Sequence, residues 1–347
     1  MLEKEDIFGY TFNEIREISA RAGLPGYASD QISDWLYKKG IKAFEEMSNL
    51  PKAARLLLEE RFYIGVSDPS GIQISQDGTK KYLFRVKKAR YVEAVYIPEA
   101  NRSTICISSQ VGCRMGCTFC MTGKQGFHGN LSAGEILNQI VSLPEKENLT
   151  NYVFMGMGEP LANTENLLKS LEIMTSSYGM GISPSRITVS TIGIIPGLEK
   201  VLEQSRCHLA VSLHTPFDSE RSELMPVEKV FPIKRVVDFL KKNTHDRQRR
   251  ISFEYIMFRG INDTPRHING LTRLLNGLRC RINLIRYHPI PDAPYESSDE
   301  ETVNWFKARL NEKGLLTTIR ASRGKDIFAA CGMLSTIKQQ SEESAGF

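Results

Sequence analysis

The stretch TICISSQVGCRMGCTFC, residues 104–120, joins a short apolar segment to a loop with three closely spaced cysteines. Its β-branched start predicts a strand, and the glycines and polar residues that follow predict a loop. A strand pattern followed by a helix pattern then recurs along the chain. This alternation predicts parallel strands with crossover helices, and hence an α/β barrel or an open doubly wound sheet. The six strand segments read TICIS, NYVFMG, RITVS, HLAVSLH, ISFEYIMF and RINLIRY.

The composition of the 347-residue chain is that of a soluble globular protein, with 41% hydrophobic and 24% charged residues and a mean hydropathy of −0.28. No apolar run approaches the roughly 18 residues of a membrane-spanning helix. The start MLEKEDIFGY lacks the apolar region of an export signal. We therefore expect a cytoplasmic protein with no membrane partner, in which seven cysteines favour metal binding or catalysis over disulfides.

Segments with other periodicities flank the βα units. Residues 1–65 carry three stretches with apolar residues at helical spacing, which predict an N-terminal helical accessory domain. Residues 66–100 alternate in polarity and are rich in Val, Tyr and Phe, which predicts a small β extension. Residues 101–335 then form the βα core, and residues 336–347 are expected to be a flexible tail.

Distinctive clusters of residues follow five of the six predicted strands. In parallel α/β folds the functional residues gather at the carboxyl ends of the strands, so these clusters are expected to meet at one site. Two glycines beside an acid allow close approach of a ligand and binding of an ammonium group. Besides the cysteine loop, the clusters are GMGEP (156–160), STIG (190–193), SLH (212–214) and RYHP (286–289).

The cysteine loop has the spacing CxxxCxxC, formed by Cys113, Cys117 and Cys120. Three thiolates so close together can hold three corners of a 4Fe-4S cluster and leave the fourth iron open to a small-molecule ligand. The alternative is a structural zinc site, which needs a fourth protein ligand. His128 is the candidate for that ligand.

These motifs resemble a known family. CxxxCxxC after the first strand of a βα series is similar to the signature of radical S-adenosylmethionine (SAM) enzymes. The segments MGMGEPLAN, STIGIIPGL, SLHTPFDSERSELMP and DIFAACGML resemble those of the bacterial RlmN family, with the similarity strongest over residues 90–334. The resemblance implies a partial (β/α)6 radical SAM barrel. It also implies methylation of adenine C2 in 23S rRNA at the peptidyl transferase centre and in tRNA, at the anticodon-loop adenine 3′ of the anticodon.

The resemblance implies a mechanism with two further cysteines and two SAM molecules per methylation. One SAM methylates Cys331, and a second is cleaved at the cluster to a 5′-deoxyadenosyl radical that takes a hydrogen atom from the S-methyl group. The methylene radical adds to C2, and Cys106 resolves the protein–RNA adduct by forming a disulfide. A radical route suits this target because C2 is electron-poor and so is the methyl group of SAM. From the residues alone, each cysteine is better explained as a small buried residue, and only the resemblance reverses that preference.

The family also implies a proton acceptor and a cofactor-binding set. Glu93 is the implied proton acceptor, although its strand pattern also fits an exposed acid on an edge strand. His288 stands where the family usually has Asn, and an imidazole cannot both donate and accept as an amide does. The implied SAM-binding residues are Gly158, Glu159, Ser190, Ser212, Leu213, His214 and His288.

The sequence signals for RNA binding are less specific than those for the cofactors. Residues 78–91 carry six basic residues and no acid, and as a strand they place Lys81, Arg85 and Lys87 on one face, where they can bind phosphates. Lysines that protect an edge strand from aggregation are the competing interpretation. The N-terminal helical accessory domain beside this segment is expected to bind folded RNA by its shape. The family implies a reduced flavodoxin-type electron donor, and we expect a monomer.

Two other functions stay open. The sister branch that methylates adenine C8 shares most motifs, but Pro160 and the QGF at residues 125–127 favour C2. A zinc-stabilised RNA-binding module without catalysis is the more distant alternative.

Overall fold

The computed structural model describes residues 4–244 and 249–336. The strands are β1 (Glu5–Asp6), β2 (Phe62–Tyr63), β3 (Gly71–Ile74), β4 (Lys80–Val86), β5 (Arg90–Glu99), β6 (Arg102–Cys106), β7 (Gln110–Gly112), β8 (Phe127–Asn130), β9 (Asn151–Phe154), β10 (Ile187–Thr191), β11 (His208–Ser212), β12 (Ile251–Met257), β13 (Arg281–Arg286) and β14 (Thr317–Ile319). The helices are α1 (Phe12–Arg21), α2 (Ala28–Asp34), α3 (Lys52–Arg61), α4 (Met121–Gln125), α5 (Ala133–Val141), α6 (Thr164–Thr175), α7 (Ile195–Gln204), α8 (Asp218–Leu224), α9 (Ile233–Asn243), α10 (Pro265–Leu275) and α11 (Glu300–Glu312).

A ten-stranded sheet organises the fold, in the order β14-β13-β12-β11-β10-β9-β6-β5-β4-β3. From β6 to β14 neighbouring strands are parallel, because each crossover carries helices. Six βα units are followed by β14, and within the described residues no strand pairing closes the sheet into a ring. The predicted partial (β/α)6 barrel is therefore confirmed. The end of the tail, residues 337–347, lies outside the described residues.

The predicted β extension is continuous with the barrel. β3, β4 and β5 are antiparallel to one another, and β5 pairs with β6 so that Val95 lies opposite Cys106. β5 therefore lies inside the sheet, and the interpretation of Glu93 as an exposed edge-strand acid is wrong: its side chain is 2% exposed. β3 is the edge strand instead.

The register of β4 also corrects the predicted phosphate-binding face. Lys81 is buried and paired with Glu93, so its charge is not available to an RNA backbone. Lys80 is paired with Glu145 at 2.6 Å. Arg85 and Lys87 are exposed, but Lys87 lies in the turn that follows the strand.

The N-terminal segment is helical, as predicted, with the addition of a two-residue parallel pair, β1 with β2. Thr11 and Glu14 form a capping box that begins α1, which satisfies backbone N–H groups at the helix start. This segment packs closely on the barrel: Gly9, with φ of 99°, approaches Gly134 so that a Cβ on Gly9 would lie 2.2 Å from the Gly134 nitrogen. Its apolar residues join those between the barrel sheet and its helices in one hydrophobic cluster.

The barrel helices cover the outer face of the sheet with one apolar stripe each. In α9 the buried residues are Ile233, Val236, Val237 and Leu240, the spacing of an amphipathic helix. None of the described helices is long and apolar enough to span a membrane.

Candidate active site

Two adjoining cavities lie at the carboxyl side and in the interior of the open barrel. The first, here called the cysteine cavity, has a volume of about 190 Å³. The second, here called the lumen cavity, has a volume of about 440 Å³ and extends towards the amino ends of the strands. Both are lined by Cys106, Met155, Glu254, Arg320 and Cys331. The two cavities are thus continuous around the pair of predicted catalytic cysteines.

Ten of the thirteen residues predicted from the sequence line the cysteine cavity. Leu213, His288 and Glu93 do not. The strand ends therefore meet as the parallel topology requires. The ten are Cys106, Cys113, Cys117, Cys120, Gly158, Glu159, Ser190, Ser212, His214 and Cys331.

The cysteine loop spans the turn between β7 and α4. Burial raises the pKa of the Cys113 thiol to about 12 and that of the Cys117 thiol well above its ordinary value, and the neighbouring cysteines raise both further. Thiols that face one another in this way lose their protons when a cation compensates the charge, so the donor set fits an iron–sulfur cluster. Among the described residues, no three His, Cys, Asp or Glu side chains are grouped to hold a single metal ion.

His128, the candidate fourth zinc ligand, is not brought to the cysteines. It lies on β8, it is exposed, and its Nε2 is 3.2 Å from the carbonyl oxygen of Gln125. It does not line the cysteine cavity.

Gly158 and Glu159 follow β9. Gly158 has φ of 98°, and a Cβ there would lie 2.5 Å from the Cβ of Gln110, so only glycine fits. Glu159 is buried and accepts hydrogen bonds from Thr191 Oγ1 (2.7 Å) and from the backbone N–H of Ile192 (2.9 Å). Burial raises the pKa of this carboxyl to about 7, because the three hydrogen bonds that it accepts offset desolvation only in part. An ammonium group arriving in the cavity supplies the missing cation.

His214 and Leu213 contribute differently from each other. His214 has φ of 59° and its Nδ1 accepts from the backbone N–H of Ile256 at 3.0 Å, which fixes the Nε2–H tautomer of the neutral ring. Burial lowers the pKa of His214 to about 3, so the ring stays neutral. The Leu213 side chain is in the hydrophobic core, and its backbone N–H donates to the Glu254 carbonyl oxygen at 3.0 Å.

His288 is placed apart from the other predicted cofactor residues. It lines the lumen cavity and is 8% exposed. Burial lowers its pKa to about 4, and the charges of Lys325 and Arg286 lower it further.

Cys106 and Cys331 are free thiols that lie far apart in the sequence and line the same two cavities. Cys106 ends β6, whereas Cys331 lies in a C-terminal loop that is exposed to the cavity. Desolvation raises the pKa of both thiols, that of Cys106 to about 12, and the charge of Arg320 opposes the rise in both. The two thiols thus border one continuous space.

The loop that carries Cys331 is held from two sides. On the α4 side, the backbone N–H of Met121 donates to the Gly332 carbonyl oxygen at 2.8 Å, and Thr122 Oγ1 donates to that of Leu334 at 2.7 Å. On the β5 side, the backbone N–H of Ser335 donates to Glu93 Oε2 at 3.0 Å. Glu93 therefore lies behind the Cys331 loop, and desolvation raises the pKa of its carboxyl while Lys81 opposes the rise.

Sequence analysis missed four charged residues in and behind the site, which are Arg320, Glu254, Arg221 and Glu228. Arg320 donates to Met155 Sδ at 3.1 Å and lies 3.4 Å from Glu254 Oε2. Arg221 is fully buried, donates to the carbonyl oxygens of Ile192 and Ser212 at 2.9 Å each, and is paired with Glu228. Two of them had a signal in the sequence. Glu254 is a lone acid in the apolar strand ISFEYIMF, and Arg221 lies inside the motif SERSELMP.

Comparisons with known proteins agree with this geometry. The family model described as the Radical SAM superfamily matches residues 107–268, and the one described as the ribosomal RNA large subunit methyltransferase N-terminal domain matches residues 5–64. A protein of Parabacteroides distasonis named "Probable dual-specificity RNA methyltransferase RlmN" is 55% identical over 338 residues, which cover 97% of this chain and 98% of the relative. A "Dual-specificity RNA methyltransferase RlmN" of Syntrophus aciditrophicus is 44% identical over 96% of this chain and 97% of its own length.

A solved structure has the same architecture. The crystal structure of a radical SAM methyltransferase from Sphaerobacter thermophilus superposes with a TM-score of 0.89 at 37% identity, and the match covers 95% of this chain and 99% of that one.

Proposed function

The chain belongs to the RlmN family of radical SAM RNA methyltransferases, and on that premise we propose that it methylates adenine C2 in 23S rRNA and in tRNA. The targets proposed are the peptidyl transferase centre and the anticodon-loop adenine 3′ of the anticodon. The observation that carries the proposal is the meeting of Cys106, Cys331 and the three loop cysteines around one cavity.

The loop thiolates of Cys113, Cys117 and Cys120 are the residues that would hold a 4Fe-4S cluster, and Glu159, with Ser190 and Ser212, lines the place for SAM. When bound, these groups supply the methyl group and the reductive cleavage that starts the radical chemistry. Glu159 offers a buried carboxylate to the ammonium group of the cofactor. His214, kept neutral, offers an N–H and no competing positive charge.

The chain's own residues then divide the transfer between two thiols. Cys331 carries the methyl group as a thioether, and its loop holds the sulfur at the cavity surface. After the carbon is bonded to adenine C2, the Cys106 thiolate attacks the Cys331 sulfur, so that an S–S bond forms and the S–C bond breaks. The electron pair of the S–C bond goes to the carbon, the C2 proton leaves, and a proton adds to the carbon to complete the methyl group. The one surplus electron of the radical adduct would go to the oxidised cluster. Glu93 is the proposed acceptor of this proton. Because it lies behind the Cys331 loop, it accepts the proton after a movement of that loop or through an intervening water.

We also propose that the protein acts in the cytoplasm as a monomer and receives electrons from a reduced flavodoxin-type protein. These statements rest on membership of the family.

The test is mass spectrometry of nucleosides from the ribosomal and transfer RNA of cells with and without the gene. Loss of 2-methyladenosine from both RNA classes is the expected result. Loss of 8-methyladenosine instead assigns the protein to the sister branch. Anaerobic reconstitution with iron gives broad absorption near roughly 400 nm if the loop holds a cluster, whereas a colourless protein with one zinc per chain removes the proposal.

A further inference from the structure

The lumen cavity extends beyond the two catalytic cysteines and is lined by polar side chains. The interior of a parallel barrel is usually filled with layers of branched apolar residues. Here the inward positions at the amino ends of the strands are instead Asn151, Thr188, His208 and Ser252, and the space between them stays open. Its volume of about 440 Å³ lies in the range of about 300–1,000 Å³ that ligand pockets have.

Three basic side chains meet at the far end of this cavity. The strand register sets His208 beside Arg250, whose backbone N–H donates to His208 Nδ1 at 3.0 Å, and sets Arg281 opposite Ser252. Burial lowers the pKa of His208, and the nearby charges of Arg250, Arg249 and Arg281 lower it further. Burial and the charge of Arg281 likewise lower the pKa of Arg250. Because Nδ1 accepts a hydrogen bond, the neutral His208 ring carries its proton on Nε2 and is a donor.

No carboxylate of the described residues lies within ion-pairing distance of the Arg250 or Arg281 guanidinium. The two acids that line the cavity are engaged elsewhere: Glu254 accepts from Asn283 Nδ2 at 2.7 Å and faces Arg320, and Glu99 is paired with Arg102. The two guanidinium groups repel each other and have no acid between them. An anion with several acceptor oxygens would therefore stabilise them.

The anion must belong to a molecule whose other end can reach Cys106 and Cys331. The cavity continues from Arg250 to Glu254 and Cys331 along β12, and four residues of strand span about 13 Å. A flipped-out nucleotide has its base at one end and its backbone phosphate at the other. On the opposite side, the cysteine loop and the Cys331 loop line the cysteine cavity and are joined by the hydrogen bond from the Met121 N–H to the Gly332 carbonyl oxygen.

We propose that the amino end of the barrel lumen is the entry port for the substrate RNA, where Arg250 and Arg281 bind the backbone phosphate next to the adenine that enters the lumen cavity. His208 donates a further hydrogen bond to the same phosphate. The inference rests on the proposed function, and it adds to it the route and the anchoring group of the substrate.

A phosphate-specific double-mutant cycle tests this port. The probes are RNA hairpins that carry the target adenine in the loop, with a natural backbone or with one neutral methylphosphonate linkage on the 5′ or 3′ side of that adenine. The proteins are the reconstituted wild type, the double variant Arg250→Ala/Arg281→Ala, the double variant Arg250→Lys/Arg281→Lys, and Arg235→Ala as a matched control on the exposed face of α9.

The wild type is expected to bind one of the two neutral-linkage hairpins roughly tenfold more weakly than the natural one, the loss typical of a charged hydrogen bond. The alanine double variant should bind the natural hairpin roughly tenfold more weakly and no longer distinguish the linkages. Its salt dependence should become shallower by about 0.7 for each phosphate charge that the protein no longer neutralises. The lysine variant recovers part of the affinity because it keeps the charge, and Arg235→Ala behaves as the wild type.

Three results overturn the inference. One is an alanine double variant that melts as the wild type does and still distinguishes the linkages. Another is unchanged RNA affinity in that variant, which would indicate that the two arginines bind an acidic protein and not RNA. The third is competition by inorganic phosphate at matched ionic strength while neither neutral linkage matters, which indicates a free-phosphate site. A wild type that forms no methyladenosine in any RNA overturns the proposed function itself, and the port with it.

Discussion

Lys81 and Glu93 form an ion pair in the interior of the sheet, with Lys81 Nζ 2.9 Å from Glu93 Oε1 and side-chain exposures of 10% and 2%. The pair joins β4 to β5, and the other carboxylate oxygen of Glu93 holds the backbone of the Cys331 loop through Ser335. The charge that neutralises Glu93 therefore also stabilises the position of the loop that carries Cys331, the proposed methyl carrier.

Lys81→Met should lower the free energy of unfolding by about 3 kcal/mol, because it leaves a buried carboxylate without its cation. Urea unfolding measures this. Lys80→Met is the matched control: its pair with Glu145 is more exposed, at 31% and 14%, and should lose at most about 1 kcal/mol. Adding Glu93→Gln to Lys81→Met should recover part of the loss. Equal losses in the two lysine variants would contradict the role given to burial.

Cys106→Ala should accumulate a covalent protein–RNA adduct, because the thioether to Cys331 forms but no thiol is present to break it. A denaturing gel with labelled RNA detects the adduct. Cys331→Ala should bind RNA without any adduct or methyl transfer. Cys280→Ala is the control, since Cys280 lines neither cavity. Normal turnover by Cys106→Ala, with no adduct, removes the resolving role.

Arg320→Met should shift the reactivity of Cys331 towards higher pH. The positive charge of Arg320 lowers the pKa of both Cys331 and Cys106, so its removal raises both and leaves less thiolate at a given pH. The alkylation rate of the Cys331 peptide by iodoacetamide, followed by mass spectrometry across pH, measures the shift. Cys280 in the same protein is the internal reference, and Arg320→Lys should shift less. A profile that coincides with the wild type would contradict the electrostatic role.

Glu159 should make the protein without cofactor less stable as the pH rises from about 4.5 to about 7. Its pKa is raised in the folded state, so the unfolded chain ionises first and stability is lost with increasing pH, by roughly 3 kcal/mol in total. Glu159→Gln should remove this part of the pH dependence in urea unfolding. The exposed Glu165→Gln should not alter it. If the free energy of unfolding depended on pH in the same way in wild type and Glu159→Gln, burial would not disfavour ionisation of the Glu159 carboxyl.

Asp326→Ala should loosen the Cys331 loop. Asp326 accepts from Ser75 Oγ at 2.6 Å and from the backbone N–H of Gln76 at 3.1 Å, while Asp77 accepts from the Gly324 N–H at 3.0 Å, so the turn between β3 and β4 clamps the start of this loop. Hydrogen exchange at residues 329–334 should become faster, with little change in the barrel strands. Ser75→Ala should have a smaller effect in the same direction. Unchanged exchange in both variants would mean that α4 and Glu93 hold the loop without the clamp.

The barrel, the cysteine loop and the clusters at the strand ends were predictable because their signals are local, whereas Cys106 and Cys331 were implied only by the family resemblance. Strand-and-helix periodicity sets the six βα units, and parallel topology alone brings the ends of β9, β10 and β11 together with the cysteine loop. The spacing of Cys113, Cys117 and Cys120 is likewise a property of a short segment.

The parts that sequence reasoning missed depend on pairing between distant segments. Whether Glu93 is exposed depends on β5 being covered by β6 on one side and β4 on the other, and Lys81 was assigned to a solvent face for the same reason. The carbonyl oxygen of Ile192 that Arg221 binds and the Glu254 carboxylate that Arg320 faces lie in distant segments, so the sequence near either arginine does not indicate these contacts. Only Glu228, the ion-pair partner of Arg221, is close to it in the sequence.

The backbone contact between Gly9 and Gly134 leaves no space for the N-terminal helices to tilt against the barrel, and both belong to one hydrophobic cluster. The separation between those helices and the opening of the lumen is therefore built into the fold as a fixed length. If the N-terminal helices bind the RNA, as the sequence leads us to expect, the RNA must present its adenine at that fixed distance from them. We then expect two RNAs of unrelated sequence to be substrates when their folded shapes match that distance.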